Sequence, residues 1–157
     1  MPQPAIDRLT RLWRSLGHRP GGRWLFSRIL GRAVPYTGTI RARVLELEPG
    51  RATARIEDRR RLRNHLRSVH ALALGNLGEL ATGLAFNAGL PADARGIPVR
   101  LTIDYLKKAR GPITATCVCE PPASSEEAEY DVAADLSDEA GDTVARVTAR
   151  WRVGPKR

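Results

Sequence analysis

A chain of 157 residues, 42% of them hydrophobic, is one domain long and carries enough apolar content to bury a core without disulfide or metal staples. Its 26 Lys and Arg against 17 Asp and Glu give a formal charge of +9, which invites an anionic partner: nucleic acid, a membrane surface or a phosphate-bearing ligand. Cys117 and Cys119 are too few for a disulfide scaffold, and no second Cys or His cluster completes a metal set, so the pair reads as small buried hydrophobes on one strand face.

The first residues lack an uninterrupted apolar stretch of signal-peptide type, and no segment qualifies as a membrane span, which predicts a soluble cytoplasmic protein. Residues 5–16 read as a short amphipathic helix, with Ile6, Leu9, Leu12, Trp13 and Leu16 on one side and Arg8, Arg11 and Arg14 on the other. Gly17 and the run His18 to Gly22 break it. A second helical piece carries Trp24, Leu25, Phe26, Ile29 and Leu30, and Pro35 is read as its end.

The period then changes. Thr39 to Leu47 alternates apolar and polar, Glu48-Pro49-Gly50 turns, and Arg51 to Glu57 alternates again, which predicts an antiparallel hairpin. After an arginine-rich loop, the segment from Val69 to Ala88 is apolar nearly all round with a single charge, Glu79, and reads as a buried central helix. Gly75, Gly78 and Gly83 lower its helix propensity but would let a sheet or a second helix approach closely. Four strands follow: Val99 to Tyr105, Ile113 to Cys119, Glu129 to Leu136 and Thr143 to Val153. In the last, Ala145, Val147, Ala149 and Trp151 share one face, and Arg146, Thr148, Arg150 and Arg152 the other.

Helices, two strands, one buried helix and four strands are satisfied by a single antiparallel sheet wrapped around that helix, an α+β architecture known as the hotdog fold. Residues 1–34 form an N-terminal helical extension on this reading, and residues 35–157 the hotdog domain.

A glutamate inside an apolar helix is the most informative feature. Burying a carboxylate without a partner costs on the order of several kcal/mol, so Glu79 should be paired, protonated or open to a cavity in which it works. Low-dielectric surroundings would raise its pKa towards values useful in general acid–base chemistry, while a structural ion pair remains the competing reading. Upstream, Asn64, His65 and His70 lie where the loop enters the helix, whose first N–H groups, Ala71 and Leu72 among them, suit a developing oxyanion. A capping role for the histidines is the simpler alternative.

The string Asn64-His-Leu-Arg-Ser-Val-His70-Ala71, followed by Glu79, resembles the active-site signature of phenylacetyl-CoA-type hotdog thioesterases. In that family an Asn is followed six residues later by His, usually in His-Gly-Gly, and nine residues after that by Asp or Glu. Pro35-Tyr36, Arg63-Asn64-His65 and Tyr105 to Arg110 are similar to an uncharacterised bacterial branch of the superfamily, and the likeness spans roughly residues 20–153. The resemblance implies an acyl-thioester hydrolase in which Glu79 activates water or attacks the carbonyl. It further implies that the Ala71 N–H holds the carbonyl oxygen and that Asn64 and His70 shape the site. Ala71-Leu72 stands where the family has Gly-Gly, and Pro98 stands where some relatives place a hydroxyl beside the water.

At ~100° per residue, nine residues put His70 and Glu79 on opposite sides of one helix, so a shared site needs a twofold dimer with two helices side by side. A dimer or tetramer with interfacial sites is therefore expected. Lys107, Lys108 and Arg110, at the end of the third of the six strands, could meet the phosphates of coenzyme A or could be a solvated turn. Coenzyme A enters only as part of the substrate; no other cofactor and no metal is implied. A non-catalytic acyl-CoA or acyl-carrier binder is the alternative function. The arginine-rich N-terminal third also raises a membrane-surface or nucleic-acid role, but apolar helix faces that cover the sheet or an oligomer interface are the preferred reading.

Overall fold

The computed structural model describes residues 4–156, with side chains from Arg8 onward, so the Ile6 side chain assigned above lies outside the described residues. In chain order the elements are α1 (Pro4–Leu16), α2 (Gly22–Ala33), α3 (Pro35–Gly38), β1 (Arg43–Glu48), β2 (Arg51–Ile56), α4 (Ala71–Ala88), β3 (Ala94–Tyr105), β4 (Ile113–Val118), β5 (Ala128–Ser137) and β6 (Thr143–Pro155). The strands form one antiparallel sheet in the order β1-β2-β4-β5-β6-β3. Helix α4 contacts all six strands, so the sheet curves around it. This is the hotdog arrangement expected from the element order.

Two features make that wrap close. The Cβ of an alanine at position 78 would fall 2.3 Å from Val147 Cβ, and one at position 75 would fall 2.7 Å from Ile103 Cδ1. Glycine at both positions lets the helix backbone lie against β6 and β3, outweighing the local propensity cost. The sheet's inner face alternates as its period requires: Ile113, Ala115 and Cys117 of β4, Val132, Ala134 and Leu136 of β5, and Val147, Ala149, Trp151 and Val153 of β6 are buried. On the outer face, Arg146, Arg150 and Arg152 meet Asp135, Asp131 and Glu129 directly across the β5–β6 ladder, at 2.7, 2.8 and 2.7 Å. Opposite charges facing each other across strands stabilise by a few tenths of a kcal/mol per pair.

Gly50 occupies φ +78° after Pro49, the left-handed conformation that a tight turn needs at this position, and its N–H donates to the Ala85 carbonyl of α4 at 2.9 Å. At the N-terminal side, Trp13 of α1 stacks edge-on against Phe26 of α2 with centroids 5.0 Å apart. Both belong to the same buried cluster as Val44 and Leu47 of β1.

Pro35 does not merely end the second helix. That helix closes at Ala33, and Pro35 opens α3 at its first position, where a missing N–H costs nothing. The expected strand from Thr39 accordingly begins only at Arg43, because Thr39 N and Ile40 N bond back to the carbonyls of Tyr36 and Thr37. β3 starts five residues earlier than the alternation suggested and is irregular between Pro98 and Arg100. It is an edge strand, which is where a proline without an N–H can sit.

Candidate active site

The segment entering α4 is held from three sides. The Asn64 N–H donates to the Ser68 carbonyl at 2.8 Å, while Asn64 Oδ1 accepts from the N–H groups of Leu66 (2.9 Å) and Ser68 (3.1 Å). The Val69 N–H donates to the Ala109 carbonyl, and the His70 N–H to the Leu62 carbonyl. Asp58 braces the loop base through Arg63 Nε at 2.7 Å and the Gly111 N–H at 3.2 Å; its carboxyl is held below the usual range chiefly by the Arg63 hydrogen bond. Asn64 thus builds the tight loop at residues 64–68, and Arg67 within it takes φ +56°. His65 is exposed in this loop, as are Leu66 and Arg67.

His70 is the N-cap of α4, with extended backbone (φ −63°, ψ 140°) and Nδ1 accepting from the Leu72 N–H at 3.1 Å. An accepting Nδ1 carries no proton, so the neutral ring presents N–H at Nε2, on an exposed side chain. The cap decides which helix donors remain. Ala73 N–H and Leu74 N–H both go to the His70 carbonyl, and Leu72 N–H goes to the imidazole. Among the described residues only Ala71 N–H of this turn has no partner. Of the two N–H groups singled out in the sequence, that of Leu72 is already engaged by His70 and that of Ala71 is left unpartnered among the described residues.

Beside this turn, Tyr105 Oη donates to the Ala71 carbonyl at 3.1 Å, tying the end of β3 to the start of α4. Leu72, Leu66, Tyr105 and Leu106 are exposed here, as are Ile97, Val99 and Leu101 along β3. Local sequence carries no signal of the Tyr105 contact, because its partners are 34 residues apart.

Glu79 lies in the third turn of α4, half-buried. Its carboxylate has no hydrogen bond or ion pair among the described residues, and burial alone pushes its carboxyl above the usual 4.5. Of the three options for a charge in an apolar helix, the ion pair is the one this chain does not supply. Gly83, one turn on, keeps the space beside it open: a Cβ there would lie 3.8 Å from Glu79 Oε1 and 3.2 Å from the Trp151 ring. Trp151 pairs with Pro98 across the β3–β6 ladder, and its Nε1 is buried without a hydrogen-bond partner. The alternation of β6 grouped Trp151 with the residues that line the inner face but gave no hint that its Nε1 would be left without a partner.

The turn after β3 is less free than its composition suggested. Lys107 Nζ binds Asp138 Oδ2 at 2.9 Å and Asp142 Oδ2 at 2.5 Å, which raises its pKa. Lys108 and Arg110 are exposed and have no ion pair among the described residues. Cys117 and Cys119 are both free thiols.

Residues 22–153 match the family described as "Domain of unknown function (DUF4442)". The chain belongs to this family. A structural-genomics protein, APC5556, superposes on this DUF4442 chain with a TM-score of 0.83 at 28% identity, over 97% of this chain and 99% of that one. Protein PA5026 from Pseudomonas aeruginosa, described as a probable thioesterase, gives a TM-score of 0.75 at 24% identity over 83% and 93%. A mutant of the phenylacetic acid degradation protein PaaI from Thermus thermophilus gives 0.63 at 24% over 75% and 97%. These neighbours share the hotdog fold of the DUF4442 chain. No curated protein matches its sequence. Among the described residues no helix is long and apolar enough to cross a membrane.

Proposed function

We propose that the chain hydrolyses acyl thioesters, acyl-CoA foremost, at sites shared between two copies of itself. Glu79 takes a proton from water, the hydroxide adds to the thioester carbonyl, and the oxyanion is held by the Ala71 N–H. Collapse then breaks the C–S bond and frees the carboxylic acid, and the leaving thiolate takes the proton held by Glu79, which releases thiol and restores the carboxylate. In the nucleophilic variant, Glu79 adds to the carbonyl itself, the C–S bond breaks with loss of thiolate, which is protonated by solvent, and water later hydrolyses the anhydride to the carboxylic acid and free Glu79. Asn64 and His70 position the loop and the helix start. Lys108 and Arg110 are the free cations for the coenzyme A phosphates, Lys107 being taken up by Asp138 and Asp142.

The observation that carries this reading is the unpartnered Glu79 carboxylate facing the space over Gly83. Glu79 lies about 13 Å along the α4 axis from His70 and half a turn round. The donor and the base therefore suit one site only if they come from different protomers. The exposed Ile97, Val99 and Leu101 on the edge strand β3 favour self-association. A cytoplasmic location accords with acyl-CoA as substrate.

A panel of acyl-CoA substrates with free-thiol detection tests the activity, and full turnover in Glu79→Ala would sink the mechanism. One observation favours a second reading, an acyl-thioester binder without chemistry: His70 occupies the Leu72 N–H, leaving a single free donor at the helix start. Tight acyl-CoA binding with no thiol release would support it.

A further inference from the structure

Two clusters of arginines in this protein contrast with each other. Those on the outer face of β6 are each held by a carboxylate of β5. A cleft of about 380 Å³ between α2, α3 and the β1–β2 edge is lined by six others, Arg28, Arg32, Arg41, Arg43, Arg55 and Arg59, with one carboxylate, Glu57. Glu57 and Glu139 both bind Arg55. None of the remaining five has an ion pair among the described residues.

The cleft is built rather than incidental. Gly38 approaches α2 so closely that a Cβ would fall 2.2 Å from the Gly31 carbonyl oxygen, which brings the two helical walls together. Arg41 on the rim holds φ +49°, a conformation that costs a non-glycine residue roughly 1 kcal/mol. Most telling is Arg59: its Nη1 is buried with no hydrogen-bond partner. A buried guanidinium donor left without an acceptor is expensive, and it belongs to a residue that lines this cleft. Arg28 lies over the Trp24 ring at 5.4 Å from its centroid, so a planar aromatic surface borders the same cleft.

We propose that this cleft binds a small phosphate-bearing anion with two or more phosphate groups, its oxygens completing Arg59 and bridging Arg43 and Arg41. Guanidinium forks match phosphate oxygens bidentately, and unneutralised arginines in a concave site concentrate anions. The site lies at the β1 edge, with β2, β4, β5 and β6 between β1 and β3 in the sheet. It does not depend on the thioesterase reading of Glu79.

The test is titration calorimetry of the full chain at physiological salt with inorganic pyrophosphate, then with free coenzyme A. Pyrophosphate should bind saturably, and Arg59→Met and Arg43→Gln should each weaken it by about tenfold or more. Arg150→Gln, which removes a guanidinium already bound by Asp131, should leave it unchanged. Glu79→Ala should also leave it unchanged, whatever that variant does to turnover. Coenzyme A binding with the same arginine dependence would assign the phosphates to a nucleotide-bearing thiol; pyrophosphate binding alone would assign them to another phosphate ester. If Arg59→Met fails to fold, the exposed Arg43 carries the test. No pyrophosphate binding at millimolar concentration overturns the proposal. So does an affinity indifferent to both substitutions, or binding only to phosphatidylcholine–phosphatidylglycerol vesicles.

Discussion

Replacing Glu79 by Gln removes a charge while keeping the side chain's length and shape, so it separates the cost of the carboxylate from its use. In the folded chain the group is half-buried, unpartnered and held above its usual pKa by burial. A carboxyl whose folded pKa is raised binds more protons folded than unfolded, so its contribution to stability falls as pH rises from the usual 4.5 through the raised value. Above that window the charge opposes folding. Gln at this position should therefore stabilise the protein at neutral pH by about 0.5–2 kcal/mol, the range typical of relieving a functional site. For a domain of this size that corresponds to a melting temperature higher by about 2–4 °C per kcal/mol. The gain should shrink towards zero as the pH falls below 4.5, where the wild-type carboxyl is neutral in both states.

The same substitution should lower kcat/KM on acyl-CoA by about 10²–10⁴-fold, the usual contribution of a general base. Wild-type kcat/KM should rise with pH through the raised Glu79 value, because only the carboxylate can accept the proton. The assays are urea melts at several pH values and thiol release under first-order conditions. A stability difference independent of pH, together with unchanged kcat/KM, would refute the assignment of Glu79 as a strained, working carboxylate. A gain in stability without loss of rate would leave the strain and remove the work.

The remaining expectations follow from single contacts. Gly78→Ala should cost about 1–3 kcal/mol in urea denaturation, since its Cβ would fall 2.3 Å from Val147 Cβ. His70→Ala should cost about 0.5–2 kcal/mol by removing the α4 cap, whereas His70→Asn should restore most of it; a rate lost in both variants marks an imidazole role beyond capping. Mixed dimers test the shared site: Asn64→Ala and Glu79→Ala chains, each inactive alone, should regain about a quarter of wild-type activity after random exchange, one intact site in half of the dimers. No recovery, with exchange shown by mass spectrometry, would put both groups in one protomer's site.

Much of this architecture was legible because its periodicities are strong. The alternation in β6 put Val147 and Trp151 on one face, the Cys117 pair read as buried, and the glycines of α4 announced a close partner before the sheet identified it. Asn64, His70 and Glu79 were legible only as a spacing. What the spacing could not tell was how each is used locally: Asn64 accepts two N–H groups of its own loop, and His70 caps the helix. The short α3, the early start of β3, the Tyr105–Ala71 contact and the orphaned Trp151 Nε1 were not legible. Each depends on where the chain returns in space, and no local pattern encodes that.

The pair Ala71-Leu72, in place of two glycines, bears on whether a substrate can reach the helix start. Glycine would be required if the backbone there took a left-handed conformation or if both N–H groups had to face the ligand. Neither condition holds. Among the described residues with positive φ, Arg41 and Arg67 are the non-glycine ones, so Ala71 and Leu72 have backbones that any residue adopts. Leu72 is 62% exposed and lies outside the buried core. Its N–H is committed to His70, so under the proposed mechanism Ala71 alone would hold the oxyanion. One donor in place of two costs on the order of 10²–10³ in rate where it has been measured. Under the mechanism proposed above, this geometry predicts a slow enzyme and not a blocked one, read out as measurable but low thiol release in the acyl-CoA panel.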